Sequence, residues 1–140
     1  MKRKASAVWT GNLKQGQGAL TTESKTLSDT RYSFSTRFED GEGTNPEELI
    51  AAAHAGCFSM DLSARLDKAG LGPRRIDTEA ALTLEKTDPG FTITTVQLTV
   101  RVDLAERDED KFNEAVAQAR AGCPVSKVLN ATISVNATLV

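Results

Sequence analysis

The stretch from Thr44 to Gly70, TNPEELIAAAHAGCFSM followed by DLSARLDKAG, constrains this chain more than any other. Both of its ends carry helix signals. Asn45 stands where an N-cap is needed, and Pro46 takes the first helical position, where a missing N–H costs nothing. Glu48 falls at the third helical position, from which a carboxylate reaches back to the cap in a capping box. Gly70 supplies a left-handed residue past the helix end, and Pro73 stops continuation. From Leu49 to Met60 the residues are apolar or small on every side, so the spacing predicts a helix covered all round. From Asp61 onward it turns amphipathic, with Asp61, Arg65, Asp67 and Lys68 placed to face water. Any fold available to the chain has to wrap the first half of this helix.

The flanking segments alternate with strand period. Ala5, Ala7 and Trp9 share one face of a short strand, Gly11-Asn12 is a turn signal, and residues 16–22 read as a weaker returning strand. Arg31–Phe38 alternates cleanly, with Tyr32, Phe34, Thr36 and Phe38 on one side and Arg31, Ser33, Ser35 and Arg37 on the other, which predicts a third strand. A loop at Asp40–Gly43 leads into the helix. Beyond it, Ile76, Thr78, Ala80, Leu82 and Leu84 line one strand, Asp88-Pro89-Gly90 turns, and Val96, Leu98, Val100, Val102 and Leu104 line the next. Phe91 and Ile93 are out of phase with that set, so a bulge is expected near Thr94-Thr95. Asp108–Ala121 predicts a helix with an acidic first turn, Gly122 interrupts it, and Cys123-Pro124 starts a short helix through Leu129. Ala131–Leu139 closes the chain as a strand. Strands in hairpins with helices inserted between them predict an α+β fold built on antiparallel sheets.

At 140 residues, the expectation is one domain spanning 1–140, large enough for its own core. A formal net charge of −2 argues against a nucleic-acid-binding surface. Lys2, Arg3 and Lys4 lack the apolar run of a signal peptide, and no apolar stretch approaches the ~20 residues of a membrane span. A cytoplasmic protein follows, with no membrane partner. In a reducing compartment its two cysteines rest as thiols.

Those cysteines, Cys57 and Cys123, lie too far apart in sequence for a CxxC pair or a zinc knuckle. Two readings stand: small packed core residues, or reactive thiols. Cys123 occupies an N-cap position, where free backbone N–H groups and the helix dipole stabilise a thiolate. Cys57, in mid-helix, gets no such help from its own backbone and needs a nearby cation. Arg37 is the candidate cation, and otherwise a solvated charge. Glu47 reads locally as an ordinary first-turn carboxylate satisfied by the helix dipole. His54, one turn before Cys57, is either a packed residue or the base of a Cys–His nucleophile. One histidine and two separated thiols fall short of a metal site.

The runs TNPEELIAAAHAGCFSM at 44–60 and AGCPVSKVL at 121–129 resemble the osmotically induced protein C (OsmC) family, which includes the organic hydroperoxide resistance proteins. The likeness extends over nearly the whole chain, and the arginine in Thr36-Arg37-Phe38 points to the OsmC branch. It implies an OsmC-like α+β fold in an intertwined homodimer and an antioxidant, stress-response peroxidase. It further implies a peroxidatic thiol at Cys57, a resolving thiol at Cys123, Arg37 holding Cys57 as thiolate, and Glu47 orienting Arg37. The local argument favours Cys123 as the more acidic thiol; an arginine contact outweighs a dipole effect of ~1 kcal/mol.

On that resemblance, Cys57 is oxidised by a hydroperoxide to a sulfenic acid, Cys123 condenses with it, and an external dithiol restores the pair. No metal or organic cofactor is implied. An apolar wall from Phe58, Met60 or a partner chain would favour organic hydroperoxides over hydrogen peroxide. The alternatives are a thiol-dependent acyl-transfer enzyme using Cys57 with His54, and a non-catalytic dimeric binding module. The small residues Ala51, Ala52, Ala53, Ala55 and Gly56 would let a second copy approach closely. Glu47 and Cys57, ten residues apart on one straight helix, are separated by a rise of ~15 Å. The sequence therefore predicts sites built from two chains, with Cys57 and Cys123 from one subunit and Arg37 and Glu47 from its partner.

Overall fold

A computed structural model describes residues 1–140, in the order β1 (Ala5–Thr10), β2 (Gln17–Thr22), β3 (Thr30–Tyr32), α1 (Phe34–Phe38), α2 (Pro46–Lys68), β4 (Pro73–Thr87), β5 (Gly90–Leu104), α3 (Glu109–Gly122), α4 (Pro124–Val128) and β6 (Thr132–Leu139). The chain forms two compact units, Met1–Leu49 and Ile50–Val140, and α2 starts in the first and runs through into the second.

In the first unit, β1, β2 and β3 pair antiparallel in chain order. Gly18 on β2 faces both Trp9 and Tyr32 in the ladder. A Cβ there would sit 2.3 Å from the Tyr32 ring, so only glycine admits the tilted Trp9–Tyr32 pair, whose centroids are 5.6 Å apart. The expected strand over Arg31–Phe38 is cut short at Tyr32. Ser33 caps α1 instead: its hydroxyl accepts from the Thr36 N–H at 3.2 Å, and the Thr36 hydroxyl oxygen accepts from the Ser33 N–H at 2.8 Å. This reciprocal pair satisfies two backbone donors that a strand edge would leave to water, and it overrides the period-2 pattern.

The second unit carries a three-stranded sheet in the order β4-β5-β6. The β4–β5 hairpin changes register where Thr83 faces Thr95 and Leu84 faces Ile93, leaving Thr94 as the extra residue of the expected bulge. The β5–β6 pair is parallel, which corrects the expectation of antiparallel sheets. Its connection passes through α3 and α4, and such a crossover returns the chain in the direction it left. Val96, Leu98, Val100 and Val102 of β5 are fully buried against Phe58, Leu62 and Leu66 of α2 and Phe112, Ala115 and Ala119 of α3 in one core cluster. Each large aliphatic or aromatic side chain there contributes about 1.5–3 kcal/mol by burial.

The helix α2 ends as its sequence requires. The Asn45 side-chain oxygen accepts from the Glu48 N–H at 2.8 Å, and Gly70 is left-handed at φ +77°. Glu48 departs from the capping box: its carboxylate accepts from the Thr44 hydroxyl at 2.6 Å, one residue before the cap. The expectation of cover all round is not met within one chain. The buried line is His54, Phe58, Leu62 and Leu66, spaced by four, while Ala52, Ala53, Gly56 and Met60 remain exposed. No helix is long and apolar enough to cross a membrane.

Candidate active site

The four residues singled out from the sequence fall into two pairs, one in each unit. In the first unit, Arg37 is presented by α1 rather than by a strand. Its Nη2 donates to Glu47 Oε1 at 2.6 Å, and its Nε donates to Oε1 and Oε2 at 3.0 and 3.1 Å. The guanidinium also lies 5.3 Å from the centre of the Phe38 ring. A planar fork against a carboxylate fixes the arginine in angle as well as position. Its side chain remains 39% exposed, so the charge is held firmly yet presented outward.

In the second unit, Cys57 on α2 and Cys123 at the α3–α4 junction meet with Sγ atoms 2.8 Å apart. Both are free thiols, the first half-buried and the second fully buried. The separation leaves under about 1 Å to travel to a disulfide bond length of ~2.05 Å. Cys123 does occupy the N-cap of α4, but its side chain makes no capping bond. Instead the Val125 N–H, in the first turn of α4, bonds the Cys57 sulfur. A backbone donor expected to serve Cys123 thus serves Cys57. Even so, burial pushes the Cys57 thiol up, as does its hydrogen bond with Cys123, and the Val125 N–H only partly opposes them. Negative charge at Asp61 adds a smaller upward push, although Arg65 Nε pairs with that carboxylate at 2.6 Å. No cation of this unit enters the balance.

His54 is fully buried, and its Nε2 is 2.8 Å from the Ser126 hydroxyl, while Nδ1 has no partner. Burial holds the imidazole below its ordinary pKa, so it is neutral at pH 7. Neither ring nitrogen bonds Cys57, and the Cys57–His54 dyad is not assembled. Ser126 and Val125 escaped the sequence reading. A signal for Ser126 was present, because it follows Cys123 by three residues as Cys57 follows His54 by three. Phe58 is fully buried in the core and cannot wall a substrate site, whereas Met60 is 77% exposed. An apolar cleft of about 290 Å³ lies instead in the first unit, where Trp9, Leu13, Tyr32, Phe34 and Phe38 surround Arg37. No group of three or more His, Cys, Asp or Glu side chains is placed to hold a metal ion.

The family model described as OsmC-like protein matches residues 39–138. The chain is 48% identical to peroxiredoxin OsmC of Escherichia coli K12 over 134 residues, covering 96% of this chain and 94% of that protein. It is 32% identical over 101 residues to an organic hydroperoxide resistance protein of Xanthomonas axonopodis, covering 71% and 68% of the two chains. An OsmC-like protein of unknown function from Vibrio cholerae has the same fold, with a TM-score of 0.81 at 15% identity over 99% of both chains. The chain belongs to the OsmC family.

Proposed function

We propose that this chain is a cysteine-based hydroperoxide reductase acting through Cys57 and Cys123. The observation that carries the reading is the 2.8 Å approach of one half-buried and one fully buried thiol. Relatives named peroxiredoxin and organic hydroperoxide resistance protein support the peroxidase class. The Cys57 thiolate attacks the terminal peroxide oxygen, the O–O bond breaks, and an alcohol leaves with a proton from solvent. Sulfur is oxidised to a sulfenic acid as the peroxide is reduced. The Cys123 thiol attacks that sulfur, forming the S–S bond and releasing water. An external dithiol then returns both cysteines to thiols and is itself oxidised to a disulfide. A reducing compartment, the cytoplasm, fits that cycle.

Cys57 needs a cation to ionise, and Arg37, fixed by Glu47, is the one the first unit presents outward. The two residues act on Cys57 of the neighbouring subunit in a homodimer, so that chain 1–140 works as one peroxidase domain whose first unit completes the other chain's site. The exposed small-residue face of α2 supports that packing. The aromatic cleft beside Arg37 favours organic hydroperoxides over hydrogen peroxide, because it offers their hydrocarbon part an apolar wall. Acyl transfer by Cys57 with His54 lacks its base contact, and packed inert thiols do not account for the paired sulfurs.

Titration of the reduced protein with cumene hydroperoxide tests the reading. Two thiols per chain should disappear, with no covalent crosslink between chains, and the variant Cys57→Ser should consume no peroxide. Peroxide turnover in that variant, or loss of a single thiol with Cys123 still free, overturns it.

A further inference from the structure

The contacts around the two cysteines form a ladder. Along α2, His54 precedes Cys57 by three residues, one helical turn; along the start of α4, Ser126 follows Cys123 by three. The two segments are joined across by Cys57–Cys123 at 2.8 Å and by His54 Nε2–Ser126 Oγ at 2.8 Å. These are neighbouring rungs, one reactive and one not. Three of the four side chains are buried, His54 and Cys123 fully and Ser126 to 9% exposure. Polar groups at such depth are retained at a penalty, and here the penalty is visible in the unpartnered His54 Nδ1. An apolar pair would pack α4 against α2 at less cost but would not fix its axial position, since dispersion contacts are non-directional. A hydrogen bond one turn from the sulfurs fixes both spacing and register.

We propose that His54 and Ser126 are positioning residues for the resolving step: their hydrogen bond holds α4 in register on α2 and so keeps Cys123 Sγ within reach of Cys57. The inference rests on the peroxidase reading for its biological use, but the rung acts on the thiol–disulfide equilibrium whatever the oxidant. Two fates compete for the Cys57 sulfenic acid. Attack by the Cys123 thiol gives the disulfide and water. A second hydroperoxide molecule instead oxidises it to the sulfinic acid, with release of another alcohol. A rung that keeps Cys123 close favours the first fate. The Cys123 N–H is tied to the end of α3 through the Ala119 carbonyl at 3.0 Å, whereas α4 beyond it is only five residues long with Pro124 at its start, so its register on α2 leans on side-chain contacts such as this rung.

The experiment compares wild type, Ser126→Ala, Ser126→Thr and the double variant His54→Phe/Ser126→Ala in the full-length protein. The double variant removes the hydrogen bond without leaving a buried polar atom orphaned, so it remains folded if Ser126→Ala alone does not. Equilibration in glutathione redox buffers reads the Cys57–Cys123 disulfide directly, without peroxide. Loss of the rung should lower the equilibrium constant for disulfide formation about tenfold, equivalent to 29.6 mV. Ser126→Thr, which keeps the hydroxyl, should restore it. With cumene hydroperoxide in excess, mass spectra of the two rung-less proteins should show a higher ratio of Cys57 sulfinic acid to disulfide than wild type. An equilibrium constant unchanged in the double variant overturns the inference, as does a lowered melting temperature with the sulfinic-to-disulfide ratio unmoved. Wild type that forms the disulfide in glutathione buffer, yet neither sulfenic acid nor disulfide with hydroperoxide, overturns the peroxidase reading and leaves the rung to be judged by the equilibrium.

Discussion

Burial and the neighbouring Cys123 thiol keep the proton on Cys57, and the Val125 N–H only partly offsets them. A thiol pKa raised in this way leaves little thiolate at pH 7, and a nearby cation would oppose the shift. Arg37 is bound in a bidentate pair that leaves its side chain 39% exposed. In the variant Arg37→Ala, the pH–alkylation curve of Cys57 should shift upward to or above the ordinary thiol value of ~8.5. Peroxide reduction at pH 7 should fall by at least about tenfold, which is one pKa unit of lost thiolate. An unchanged alkylation curve would return Arg37 to a surface charge held by Glu47. At this scale the sequence leaves open how these residues are arranged. Cap reasoning assigns the free N–H groups at the start of α4 to the side chain of its cap residue, Cys123. The Val125 N–H bonds the other cysteine, 68 positions back in the chain. No local rule contains a contact of that range.

Elements with strong end signals are legible in the sequence. Both ends of α2, the Asp88-Pro89-Gly90 turn and the Thr94 bulge fall where the residues place them, while the α3–α4 break comes at Cys123, one residue after the expected interruption at Gly122. Two elements were not. The Arg31–Phe38 run satisfies strand alternation, yet a Ser33–Thr36 box turns it into a helix. The signal, a serine and a threonine three apart, was visible but outweighed by a longer pattern. The direction of β6 was illegible for a different reason, because alternation sets which residues share a face and leaves strand polarity to the route of the connection. The α1 reading has a direct test. Thr36 is only 7% exposed, and its hydroxyl both accepts from the Ser33 N–H and donates to the Ser33 carbonyl. Thr36→Val should destabilise the protein by about 1–2 kcal/mol, read as a lowered urea midpoint at fixed protein concentration. A midpoint equal to wild type would mean that packing rather than the box holds α1.

For the whole molecule, the decisive fact is the face of α2 that one chain leaves bare. Ala52, Ala53, Gly56 and Met60 lie exposed beside a buried line at His54, Phe58, Leu62 and Leu66. A helix apolar on both sides is half covered in isolation, and small side chains on the open side let a second backbone come close. The sequence predicts a helix covered all round, and one chain covers only the line at His54, Phe58, Leu62 and Leu66. If a second copy packs there antiparallel, the ten-residue offset between Glu47 and Cys57, a rise of ~15 Å, is bridged between chains. Mixing two inactive proteins tests that arrangement. Cys57→Ser keeps Arg37 and Glu47, and the double variant Arg37→Ala/Glu47→Ala keeps both cysteines. In a dimer of one chain of each kind, the surviving Cys57 would meet an intact Arg37–Glu47 pair from its neighbour, giving one whole site of two. Refolded in equal amounts with random pairing, half the dimers are mixed, so about a quarter of wild-type activity should return. Native mass spectrometry counts the mixed species independently of activity. If mixed dimers form and the solution stays inactive, Arg37 and Glu47 serve the Cys57 of their own chain, and the two-chain site is wrong.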